Sequence, residues 1–92
     1  MNTARLPGGD LVERGLRDLA GGRPSAEALL VSIGATRLER AGIVLPGPAI
    51  ADAERRLYDL LAAQGADSAH SRYNALVRRL VSFERALECA GR

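Results

Sequence analysis

The last third of the chain carries a seam. Ala69, Tyr73, Leu76, Leu80, Phe83 and Leu87 follow one another at intervals of 4, 3, 4, 3 and 4 residues. At about 100° per residue, these positions fall in one narrow stripe along a helix. The spacing is heptad-like and suits packing against another helix. No stretch shows sustained two-residue alternation of β-branched residues, so no sheet is expected as the opposing layer. The seam therefore points to an all-α fold, a small bundle ending in a long C-terminal helix over about residues 68–90.

The turn and cap residues divide the remainder. Residues 1–9 are polar and interrupted by Pro7, Gly8 and Gly9, and read as a flexible N-terminal arm. Residues 10–92 read as a single helical domain. Asp10 is the expected cap of a first helix over 10–20, with Glu13 completing a capping-box-like start. Val12, Leu16, Leu19 and Ala20 form its apolar stripe, and Gly21 and Gly22 end it. Asp10–Arg14 and Glu13–Arg17 are spaced for i,i+4 pairing. Ser25 caps a second segment, 25–41, whose apolar positions are Leu29, Leu30, Ile33 and Leu38. Gly34 in its middle either bends that helix or breaks it. Pro46 and Pro48 hold the following linker out of helix. A third helix, about 49–64 and starting from Ala49 or Asp52, presents Ile50, Ala53, Leu57, Leu60 and Leu61. Gly65 and a short "GADS" turn lead to the last helix, capped by Asp67 or Ser68. So short a turn makes the last two helices an antiparallel helical hairpin.

Composition limits how stable such a bundle can be. The chain has 92 residues, 47% of them apolar but only 3% aromatic, so its core comes from Leu, Val, Ile and Ala. Cores of this size supply roughly 5 kcal/mol or less of net stability, and oligomerisation is a common remedy. All thirteen basic residues are arginine, a bias that fits a high-GC bacterial genome and excludes lysine-based Schiff-base chemistry. The single cysteine, Cys89, cannot form an internal disulfide and fits a reducing cytoplasm. No apolar run is long enough to span a membrane, and the first residues lack the apolar core of a secretory signal. A cytoplasmic location is the expectation.

Laid out as a surface, the last helix offers more than its seam. His70, Asn74, Val77, Val81, Glu84 and Glu88 run beside the seam as a second strip. Its two valines widen the apolar face beyond what one neighbouring helix needs. Arg72, Ala75, Arg79 and Ala86 lie on the opposite flank. We expect a non-enzymatic protein–protein interaction protein, a homodimer or an accessory subunit of a larger bacterial partner. His70, Tyr73, Asn74, Val77 and Val81 are its candidate interface. Within a single chain, the alternative is that the shorter helices cover the same strip.

Specific chemistries find little footing. His70 is the only histidine, and Cys89 lies about five turns away on the same helix, so no metal site is expected. Ser68 and Ser71 neighbour His70 in sequence without the geometry of an activated nucleophile. Acids such as Asp52 and Glu54 sit where a helix start already accounts for them. No catalytic residue and no cofactor is assigned. The second, less favoured function is nucleic-acid binding by a regulator. It would use a degenerate helix-turn-helix at 25–41 bearing Arg37 and Arg40, or Arg72, Arg78 and Arg79 on the last helix. In the first case Leu30 stands where the motif wants a small residue, and Arg40 where it wants an apolar one. In the second, Arg78 points about 100° away from Arg79, so the arginines form no single stripe. The charge is also evenly spread, with six arginines and five acids in residues 1–47 against seven and six in 48–92.

Overall fold

The structure, a computed structural model, describes residues 3–90. The first two residues of the expected arm and the last two of the chain lie outside the described residues. Five α-helices follow in order: α1 (Gly9–Ala20), α2 (Ala26–Ile33), α3 (Ala35–Arg40), α4 (Ala53–Gln64) and α5 (Ala69–Ala90). Short 3₁₀ turns occupy Thr3–Arg5 and Ala66–Ser68, and there is no strand among the described residues. The bundle measures about 40 × 25 × 18 Å, its long dimension set by a terminal helix of 22 residues.

The centre of the bundle is α2. Ala28, Leu29, Leu30, Val31 and Ser32 are five consecutive buried residues, so this helix is covered on every side. It packs against α1, α4 and α5, and its contact with α1 is the most extensive in the molecule. That contact is close because Gly15 faces it. A Cβ there would overlap the Glu27 carbonyl oxygen and come within 2.7 Å of a Val31 methyl. The α1–α2 turn is tied by Ser25, as its position as cap anticipates. Its Oγ accepts from the Ala28 N–H at 3.1 Å and donates to Asp18 Oδ2 at 2.6 Å.

The caps of α1 and α5 differ from the sequence reading. Asp10 lies inside the first turn of α1, and Gly8, in the left-handed region at φ 75°, takes the cap position with no side-chain bond. Asp10 instead pairs with Arg79 of α5 at 3.1 Å. Neither Asp10–Arg14 nor Glu13–Arg17 forms an ion pair among the described residues. Leu11 and Gly15 join Val12 and Leu19 in the buried face of α1, while Ala20 is exposed. Helix α4 begins at Ala53, next to Asp52, the later of the two starts the sequence offers; Asp52 takes the cap position in the left-handed region at φ 54° with no side-chain bond. Before α5, residues 66–68 form a 3₁₀ turn. Ser68 Oγ donates back to the Gly65 carbonyl at 3.3 Å instead of capping the helix. Within the expected arm, Leu6 is half-buried against the core, and its carbonyl accepts from the Gly9 N–H at 2.8 Å.

The core draws on all five helices, with Phe83, Leu30, Leu38, Leu57, Leu61, Val12 and Val31 the largest fully buried side chains. The seam of α5 supplies Ala69, Leu80, Phe83 and Leu87 as buried residues, with Tyr73 and Leu76 half-buried at its upper end. The connector from Ala41 to Asp52 has no regular structure and is fastened near both ends, with Ile43, Leu45 and Ile50 packed against the core and the Ile43 N–H donating to the Leu38 carbonyl at 2.9 Å. Buried Ser32 accepts from the Ile50 N–H at 3.0 Å while donating to the Ala28 carbonyl at 2.9 Å.

Candidate interaction surface

The second strip of α5 divides into three zones. At its start, His70 is exposed and Asn74 half-buried, and the Asn74 amide donates to His70 Nε2 at 3.2 Å. This bond holds both polar heads along one edge of the helix. In the middle, Val77 and Val81 are both half-buried. Val77 packs against the core cluster; Val81 does not. At the end, Glu84 and Glu88 turn inward toward α3. Arg37 Nε donates to Glu88 Oε1 at 2.8 Å, and its Nη1 lies 3.6 Å from Glu84 Oε1.

Glu84 is the unexpected member. The wheel placed it beside two valines on a half-open flank, yet it is only 4% exposed. It lies against Gly34, where a Cβ would stand 2.8 Å from Glu84 Oε2 and 3.0 Å from a Leu80 methyl. The glycine breaking the second segment thus makes room for a buried carboxylate and a core leucine. Burial pushes the Glu84 carboxyl above its usual range and the Glu88 charge adds to this, while Arg37 pulls the other way. The Arg37 guanidinium is held charged chiefly by its hydrogen bond to Glu88. The only sequence signal for this cluster is the mid-helix glycine itself. The acids and their arginine are too far apart in the chain to be paired by spacing.

Tyr73 sits between the seam and the strip. Its ring meets Tyr58 of α4, with centroids 5.8 Å apart and planes at 58°, a tilted arrangement typical of stabilising aromatic pairs. Partial burial, and then the charge of Glu54, push its phenol above the usual range, so it remains a neutral hydroxyl at physiological pH. Four of the five candidate interface residues, His70, Tyr73, Asn74 and Val77, therefore lie along the first half of α5, and Val81 just beyond its midpoint. The second half of the strip is occupied within the chain by α3.

The arginines assigned to nucleic acid do not converge. Arg37 is held by Glu84 and Glu88, Arg79 by Asp10, and Arg72 donates to Gln64 Oε1 at 2.8 Å. Arg40 and Arg78 are exposed and form no ion pair among the described residues. Gly34 alone separates α2 from α3, where a helix-turn-helix has a turn of three or four residues. Helix α3 spans only six residues.

No group of three or more His, Cys, Asp or Glu able to hold a metal occurs among the described residues. None of the described helices is long and apolar enough to cross a membrane. What fold and surface define together is a small all-α bundle with a partly open flank on its longest helix. Comparison of the chain with protein-family models, curated proteins and solved structures returned no match.

Proposed function

We propose that this protein is a non-enzymatic interaction module that acts as a homodimer, pairing α5 with α5 of a second copy about a two-fold axis. The observation that carries this reading is the pattern of the strip about residue 79. Positions 77 and 81, and 70 and 88, are each equidistant from it. An antiparallel pairing centred there sets Val77 against Val81 of the second copy and His70 against Glu88, while buried Glu84 stays within its own chain. The apolar pair falls at the centre, with polar and acidic groups matched outside it, as a self-complementary interface requires. Val81, half-buried but outside the core cluster, is the central anchor. The engagement of Arg37, Arg72 and Arg79 inside the chain weighs against nucleic acid as the partner.

Light scattering coupled to size exclusion tests this directly. The expected mass at tens of micromolar is twice that of the chain, falling toward one in Val81→Glu. A monomer at that concentration overturns the proposal. A dimer that Val81→Glu leaves intact overturns the assigned surface.

A further inference from the structure

A second surface feature lies away from α5. The end of α1, the turn after it and the end of the connector enclose an open cleft of about 350 Å³. Leu19, Pro24, Pro48 and Ile50 give it apolar walls, and Arg23 and Arg56 both line it. No acidic side chain is part of the lining. Neither guanidinium forms an ion pair with a described residue. Two other cavities on the surface lack this combination. One places Arg55 beside Asp52 and Glu54, and the other has Glu39 as its charged residue.

The walls are fixed in advance. The Ile50 N–H is bound to buried Ser32 Oγ at 3.0 Å. The turn carrying Arg23 is closed by its own N–H on the Asp18 carbonyl at 2.8 Å and by the Asp18–Ser25 bond at 2.6 Å. That last bond also turns Asp18 toward the start of α2. A cleft of this size falls within the range of small-ligand sites, and its apolar walls and paired cations define what fits. Guanidiniums favour planar, bidentate anions, and carboxylates match that geometry.

We propose that this cleft binds an organic carboxylate with a branched aliphatic body. The carboxylate lies between Arg23 and Arg56, and the body rests on Leu19 and Ile50. A free short-chain acid and the C-terminal residue of a peptide share this chemistry. No residue of α5 lines the cleft, so its occupancy and the pairing of α5 stand or fall separately.

A titration followed by ¹H–¹⁵N correlation spectra on the whole chain tests the site, with 4-methylpentanoate, N-acetyl-leucine and N-acetyl-leucinamide as probes. The expected result is saturable binding of at least one acid in the millimolar range, as its size and the open cleft allow. Shifts should centre on Leu19, Gly22 and Ile50, and the uncharged amide should bind at least about tenfold more weakly. Arg23→Gln and Arg56→Gln, both at exposed positions, should each weaken the acid several-fold. Tighter binding of N-acetyl-leucine than of 4-methylpentanoate identifies a peptide C-terminus as the source, and the reverse identifies a free acid. Equal binding of acid and amide, shifts centred elsewhere, no effect of either substitution, or no saturation by about 50 mM would overturn the site.

Discussion

Glu84 shows how one side chain sets a pH response. Its carboxyl is raised in the folded state, chiefly by burial, so ionising it costs the folded chain more than the unfolded one. Its contribution to stability is therefore full below the unfolded carboxylate pKa of about 4.3 and is lost as pH rises through the folded value. Glu84→Gln keeps the shape and removes the charge. It should raise the thermal midpoint at pH 7 by a few degrees and flatten the loss of stability as pH rises above the ordinary carboxylate range, read by circular dichroism melts. Glu88 still holds Arg37 in that variant. Ser32 is the second residue with an outsized role, because one hydroxyl serves both α2 and the connector. Ser32→Ala leaves the Ile50 N–H without its partner and should cost about 1–2 kcal/mol in urea unfolding. Amide exchange at Ile50 should accelerate in the same variant.

Among the elements, the α1–α2 crossing has the least slack. Gly15→Ala gains about 1 kcal/mol of helix propensity. It also drives a methyl into the Glu27 carbonyl, a backbone atom that cannot rotate aside. Overpacking of this kind costs about 1–3 kcal/mol, and a rigid neighbour puts it at the upper end. The net expectation is a loss of about 1–2 kcal/mol, measurable by chemical denaturation. The positions of these helices could be read from periodicity and turn residues. The seam of α5 is the clearest case, since Leu80, Phe83 and Leu87 are buried where the wheel placed them. The capping side chains of α1 and α5 could not, because local sequence does not reveal that Asp10 has a better partner in Arg79, 69 residues on, or that Ser68 bonds back to Gly65. The rank of α2 was equally hidden. Its run of apolar residues is too short to separate a helix with one wet face from one buried all round. For the candidate surface, the wheel set the strip along one flank of α5 but could not see that Glu84 is buried and that Arg37 occupies its lower end.

For the whole molecule, the proposed pairing of α5 would make stability depend on concentration. Mass action predicts that the thermal midpoint rises with each tenfold increase in protein and that Val81→Glu removes the dependence. Differential scanning calorimetry over roughly two decades of concentration reads it. A midpoint independent of concentration is the signature of a monomer.

The connector has a consequence of its own. Between Ala41 and Asp52 the chain is irregular, and Val44, 86% exposed, lies between the Ile43 N–H bond to Leu38 and the Ile50 N–H bond to Ser32. It is the natural place for a protease to nick. On either side lies a set of helices with its own share of the interior: Leu11, Val12, Leu30 and Leu38 before it, Leu57, Leu61, Leu80 and Phe83 after it. The interior joins the two sets chiefly through α2 against α4, and no covalent bond other than the connector crosses that boundary. The two sets share one continuous core, so each presents the other with a large apolar face. Two fragments severed near Val44 should find each other and rebuild the bundle, which would make it a candidate split reporter.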